Sequence, residues 1–425
     1  AGTLGDIGTV CMDAVTHLHE LNIFESANVV CDSAPTAAAD GQPLADVIVT
    51  VSEKKRLAQA ATGVHTTSGE GSMDANVSVR NLLGRAERFD LQMEVGQHKS
   101  NGFKFSAARP RWMGMDMLLS ADVSKQLVSH LKHSSYAEKQ QGGCVNLRIG
   151  NQDTSMGSHE LSYELSLREV CKLPIKTASW AILQQRGLSV KSAVQHTYTR
   201  STLDNRIAPT RGWLFRLFTE IAGVASVGDA RYHKHLLDAA ACVPLLPNGK
   251  LVLSTNARLG LLLPLADAPH AVTISDRFLL GGPNSFWGFR THGVGPRERR
   301  HVPDGLPGPR TAHDALGGDV LASASVRLST LLPGALERHG VRAHAFASTG
   351  TLQSLKSLTA ASGNGTLLQT AKAFGAGLRA SAGVGLVLPT ALGSLEVNLT
   401  HVLLKEASDS TQRSGIQIGV SPSFG

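Results

Sequence analysis

The sequence predicts an all-β fold of about sixteen strands behind a short α/β unit. Three observations predict it. Apolar and polar residues alternate one by one in segment after segment, from about residue 56 to the carboxyl end. Turn-forming stretches such as Gly150-Asn151-Gln152-Asp153 and Pro247-Asn248-Gly249 separate those segments. No apolar run reaches the roughly 18 residues of a transmembrane helix; the nearest, Leu251–Leu265, is broken by Ser254, Asn256, Arg258 and Pro264. A membrane-spanning strand, which needs only about 9–11 residues with every second one apolar, stays compatible with the pattern.

Taken in order, Ile7, Val10, Ala14, Leu18 and Leu21 recur at helical spacing. Two β-like runs follow, Ser26–Cys31 and Ala45–Ser52, joined by a Pro/Ala/Gly/Asp loop over Ser33–Pro43. This helix–strand–strand unit, expected to span residues 1–53, is too small to close a core alone. The first strand of the main body is expected at Arg56–Thr66 and the last at Gly415–Phe424. Between them, Phe89, Leu91, Met93 and Val95 oppose Arg88, Asp90, Gln92 and Glu94. Leu161, Tyr163, Leu165 and Leu167 likewise oppose Ser162, Glu164, Ser166 and Arg168, and Leu395, Val397 and Leu399 oppose Glu396, Asn398 and Thr400. Ile416, Ile418 and Val420 alternate with Gln417, Gly419 and Ser421.

Alternation admits two architectures. A soluble sandwich or propeller turns the apolar face to a dry core, whereas a membrane barrel turns it to lipid around a wet lumen. Charges and glycines on the polar face, and the lack of a blade-length repeat, favour the barrel. Four Trp and four Tyr are sparse for two aromatic girdles and favour the soluble fold. Composition leaves both standing. The net charge of +7 permits contact with anionic headgroups without demanding it. Five scattered cysteines without a CxxC pair argue against a disulfide framework and a structural zinc site. The chain opens at Ala1 without a charged-then-apolar leader, as expected of a processed or trimmed product.

Enzymatic motifs are missing. There is no G-x-S-x-G elbow, no P-loop and no G-x-G-x-x-G before a helix, so neither a hydrolase nor a nucleotide site is expected. His233 and His235 share a strand face, but a metal site would need a third ligand from His292, His301 or His313, and no metal is expected. The run Pro296-Arg297-Glu298-Arg299-Arg300-His301 reads as a solvated loop rather than a contact for phosphate or acidic protein. The expectation is no enzyme, no cofactor and no nucleic-acid partner.

One segment stands out. Arg277-Phe278-Leu279-Leu280-Gly281-Gly282-Pro283-Asn284-Ser285-Phe286-Trp287-Gly288-Phe289-Arg290 opens a stretch, about 266–315, without clear alternation. Its aromatics would be costly in water and suit a loop folded into an interior. "RFLLGGPNSFWGF" resembles the loop signature of the BamA-like outer-membrane assembly factors, close to F-x-L-G-G-x-x-S-[IV]-R-G-F, and most of all the mitochondrial branch, the barrel subunit of the sorting and assembly machinery. Supporting stretches are Asn81–Glu87, Pro209–Gly212, Glu220–Gly223, Gly228-Asp229, Gly317-Gly318-Asp319 and the glycine-spaced Ser381–Gly385.

The resemblance implies a sixteen-stranded antiparallel transmembrane barrel over 54–425, preceded at 1–53 by part of a POTRA domain, with the signature loop in the lumen. It implies an insertase that folds β-barrel precursors into the mitochondrial outer membrane, a plastid or bacterial outer membrane being the alternative. Its partners would be membrane lipid, barrel precursors and accessory subunits of the assembly machinery. A passive pore and a membrane-bridging scaffold are the competing functions. Trp287 stands where the family carries an arginine, Asp319 matches the acidic position that pairs with it, and Ser348 replaces a second acidic or amide position. The loop is therefore expected to be held by Phe286, Trp287 and Phe289, with Arg290 reaching Asp319. A lateral gate is expected between the first and last strands, at Gly63 on one side and Gln417, Gly419, Pro422 and Phe424 on the other. Residues 417–424 also resemble the mitochondrial β-signal of client proteins.

Overall fold

A computed structural model describes residues 4–21, 23–33, 45–54, 58–67, 70–97, 100–174, 177–246, 249–267, 270–301, 312–362, 372, 374–390 and 393–421. The helical spacing near the amino end forms α1 (Leu4–Glu20), followed by β1 (Phe24–Ser33) and β2 (Ala45–Glu53), an antiparallel pair on which α1 packs. Then come β3 (Ala58–Thr67), β4 (Glu70–Arg80), β5 (Arg88–Gly96), β6 (Asn101–Arg109), β7 (Met117–Ser129), β8 (Ala137–Ile149) and β9 (Ser158–Cys171). The series continues with β10 (Gly187–Ser201), β11 (Gly212–Ala222), β12 (Tyr232–Pro244) and β13 (Leu251–Pro264). A small hairpin, β14 (Arg297–Arg299) and β15 (His313–Ala315), precedes β16 (Val320–Leu331), β17 (Arg342–Gln353), β18 (Arg379–Thr390), β19 (Gly393–Leu404) and β20 (Ile416–Ser421).

Sixteen of these strands, β3–β13 and β16–β20, form one antiparallel sheet in which each pairs with its neighbour in sequence. The single sheet replaces the two facing sheets of a sandwich and the separate blades of a propeller. Its polarity settles the matter physically. On β9, Leu161 is 50% exposed while Ser162 is 7% exposed, and on β20 Ile418 is 63% exposed against 7% for Gln417. Glu220, Glu396, Asn398 and Ser381 are buried, whereas Val384, Leu386, Val397 and Leu399 are exposed. A water-soluble protein buries the opposite set. The outer apolar face suits hydrocarbon, and no helix among the described residues is long and apolar enough to cross a membrane.

The inner face neutralises its own charges. Lys191 lies between Glu164, at 3.1 Å, and Glu220, while the Arg327 guanidinium meets the Glu396 carboxylate with two bonds of 2.9 Å. Bidentate geometry of this kind offsets the desolvation of each ion. The two ends of the sheet, β3 and β20, come within 8 Å of each other in Cα position, yet no ladder joins them among the described residues. β20 pairs with β19 over only the six positions Ile416–Ser421.

Candidate functional site: the internal loop and the last strand

The stretch between β13 and β16 turns inward and packs on the inner face of the strands. Its entry is a single 3-10 turn, Ile274–Asp276, begun by a capping box between Thr273 and Asp276. Asp276 accepts hydrogen bonds from Arg168 Nη1 of β9 at 2.7 Å, from the Tyr232 hydroxyl of β12 at 2.8 Å and from Thr273 Oγ1 at 2.7 Å. Lys234 Nζ donates to the Asp276 carbonyl at 2.6 Å and sits 4.8 Å above the Phe278 ring. Burial pushes the Asp276 carboxyl up, but the charges of Arg168 and Lys191 outweigh it and hold the group well below the usual carboxylate range.

Next, Phe278 and Gly318 exchange backbone hydrogen bonds of 3.0 and 2.9 Å, and the Phe278 ring fills the space left by Gly260 on β13. That pairing sets Arg277 beside Asp319. Arg277 Nε lies 3.4 Å from Asp319 Oδ1, and Asp319 Oδ2 accepts from Ser354 Oγ and the Leu355 N–H. The expected Arg290–Asp319 pair is not formed: Arg290 is exposed, and its N–H donates to the Ser410 carbonyl at 2.8 Å. The chain has reversed between the two arginines, so they face different walls.

The reversal is made by Gly281, Gly282 and Asn284, all with φ between 66° and 117°. Gly282 and Phe286 exchange backbone bonds across it, and Leu280 bridges to Val294. Phe286 and Phe289 stack with centroids 5.0 Å apart inside a cluster that includes Phe278, Leu280, Val294 and Leu352. Trp287, 5% exposed, lies between Phe286 and Phe289 in sequence. Ser285 is exposed, and Ser348, on the inner face of β17, lines the same cavity of about 410 Å³ as Phe286 and Trp287.

Three contacts fasten the tip to β20. Gln417 accepts the Gly288 N–H at 2.6 Å and donates to the Phe289 carbonyl at 2.8 Å. Asn284 Nδ2 donates to the Val420 carbonyl at 2.5 Å. A Cβ placed on Gly419 would lie 2.9 Å from the Trp287 ring. The returning chain is fixed by bonds between Ser410 and Gly293 and between Gln412 and Gly288. On the opposite side of the seam, Gly63 of β3 faces Asp74, whose carboxylate would be 2.7 Å from an added Cβ. Pro422 and Phe424 lie outside the described residues.

Farther along, half-buried His292 packs its ring 5.2 Å from that of His133. Burial, His133, His130 and Arg297 lower its pKa to about 3. The rings of His233 and His235 are 4.2 Å apart, and among the described residues no group of three metal-ligating side chains gathers there or elsewhere. The sequence assigns no role to Asp276, Arg168, Asn284 or Ser410. The Thr273-x-x-Asp276 spacing was the readable sign of the first; an arginine on an inner face already rich in Ser and Glu was the sign of the second.

The pattern of the Omp85 superfamily domain matches residues 81–424. The chain belongs to the Omp85 superfamily. It is 30% identical over 409 residues to a SAM50-like protein of Schizosaccharomyces pombe, covering 96% of this chain and 80% of that protein. With the sorting and assembly machinery component 50 homolog of Mus musculus it shares 31% over 350 residues, 81% of this chain and 68% of that one. Among solved structures, BamA of Haemophilus ducreyi lacking POTRA domains 1–3 superposes with a TM-score of 0.76 at 19% identity, over 96% of this chain and 77% of that chain. CdiB of Escherichia coli gives 0.54 at 13% identity, over 94% and 68%. These likenesses place this Omp85 protein in the sorting and assembly branch, at the mitochondrial outer membrane.

Proposed function

We propose that this Omp85 protein is an insertase that folds β-barrel precursors into the mitochondrial outer membrane through a lateral gate between β3 and β20. In this reading residues 54–425 close into a barrel, residues 1–53 are a partial POTRA-like segment, and the 266–315 loop occupies the lumen. The observation that carries the proposal is the seam: two ends of one sheet lie side by side without a ladder among the described residues. Unpaired N–H and C=O groups facing lipid cost several kcal/mol each. An incoming precursor strand relieves that cost by pairing with β3, and each added strand buries apolar surface against lipid. The chemistry needs no nucleotide and no covalent step.

The loop gives the gate its inner support. Gln417, Gly419 and Val420 are held from the lumen side by residues 284–289, so the last strand moves only as the tip releases it. A precursor strand resembling 417–424 is suited to take the place of β20. Membrane lipid and accessory assembly subunits are its further partners.

The test is a pair of cysteines, Ala60→Cys and Val420→Cys, oxidised across the seam in a strain whose own copy is depleted. Insertion of a radiolabelled barrel precursor should stop on oxidation and return on reduction. Undiminished insertion through a locked seam refutes the gate. Loss of solute exchange with precursor assembly intact would instead support a passive pore.

A further inference from the structure

Two cysteines that the sequence leaves unconnected meet in the N-terminal unit. Cys11 lies in the middle of α1 and Cys31 near the end of β1, with their sulfurs 3.9 Å apart. Cys144, Cys171 and Cys242 lie on β8, β9 and β12 of the large sheet. From this juxtaposition we infer that Cys11 and Cys31 form a reversible disulfide site, oxidised by a small or protein-borne disulfide such as glutathione disulfide. The remaining approach is within reach of rotation about two Cα–Cβ bonds.

The unit has a physical use for such a staple. Domains of its size hold little core, and smaller ones usually require a cross-link. Among its described residues only Ile23 and Ala27 are buried apolar side chains, while Val30, Ile48, Val49 and Val51 stay exposed. The bond would join α1 to the strand it lies on and close a loop of 20 residues in the unfolded chain.

The exchange balances. Cys31 is exposed, whereas desolvation and the neighbouring Cys31 push the Cys11 thiol up, so Cys31 attacks first. Its thiolate displaces one thiol from the oxidant and leaves a mixed disulfide. Cys11 then attacks the Cys31 sulfur and expels the second thiol. Two protein thiols become one disulfide, one oxidant disulfide becomes two thiols, and both protons leave with them.

The full chain in detergent micelles is equilibrated with glutathione buffers of graded ratio, blocked with an alkylating agent and mapped by mass spectrometry. A Cys11–Cys31 peptide should accumulate as the buffer becomes more oxidising, with Cys144, Cys171 and Cys242 remaining alkylated. Proteolysis within residues 4–53 should slow by at least about tenfold in the oxidised chain, and Cys11→Ser should abolish that slowing. Mobility on unheated gels verifies that each variant keeps its large sheet. The inference is overturned if no such peptide forms at the most oxidising ratio, if Cys31 pairs with a second copy instead, or if Cys11→Ser is protected equally.

Discussion

Gln417 on the last strand and Gly288 at the tip of the internal loop are joined by a hydrogen bond of 2.6 Å, while the same carboxamide donates to the next carbonyl, that of Phe289, at 2.8 Å. One side chain thus satisfies a backbone donor and a backbone acceptor together. A carboxamide does both, and an ionised carboxylate of the same length cannot. Replacing Gln417 by Glu keeps the length, loses the donor and sets a carboxylate against a carbonyl. Gln417→Glu should destabilise the docked loop by about 1–3 kcal/mol, seen as faster alkylation of a cysteine placed at Ser285. An unchanged alkylation rate counts against the latch.

Gly419 supplies the second half of that contact. Adding a methyl group at 419 brings a carbon to 2.8 Å from Pro283 Cβ and 2.9 Å from the Trp287 ring. Gly419→Ala should cost about 1–3 kcal/mol by overpacking, measured by denaturant unfolding in micelles. The pair Gly419→Ala with Trp287→Leu should recover part of the loss. Additive losses in the pair would place the strain elsewhere.

Much of this arrangement was legible in the sequence, and the misses have identifiable causes. Period-two alternation follows from a sheet with two unlike environments, so segments such as Ser158–Cys171 and Ile416–Ser421 could be read directly. Which environment was the lipid could not, because Leu161 and Ser162 alternate identically in a sandwich and a barrel. The aromatic residues Phe278, Phe286 and Phe289 of the loop are buried together in one cluster. The loop's salt bridge went to Arg277 rather than Arg290 because the register of Phe278 on Gly318 fixes it, and register across 40 residues of loop is a tertiary property. Cys11 and Cys31 likewise meet only once α1 has settled on β1.

Asp276 offers a charge test. Arg168 is 6% exposed and donates to Asp276 at 2.7 Å, so removing the acid strands a cation in the interior. Asp276→Asn should lower stability by about 3–5 kcal/mol, and Arg168→Met with Asp276→Leu should recover much of it. The folded chain holds the Asp276 carboxyl below its unfolded value. Its contribution is therefore complete above the ordinary carboxylate range and is lost only as pH falls through the folded value, in strong acid.

His292 acts in a milder window. Burial, His133, His130 and Arg297 depress its pKa to about 3, against an ordinary value of about 6.5. The unfolded chain takes up the proton first, so stability is full above about pH 6.5 and declines as pH falls toward the folded value. Unfolding midpoints between pH 7 and about 4.5 should drop in the native chain. His292→Asn, which tolerates the positive φ of 54° at this position, should flatten that slope. An identical slope in the variant would assign the effect to another group.

The outward apolar face also bears on how the molecule reaches its destination. Greasy side chains at every second position give a nascent segment only half the hydrophobicity of a spanning helix of equal length. A segment taken alone therefore shows oily and polar groups in equal measure, and only the paired sheet sorts them into a face that a bilayer can accept.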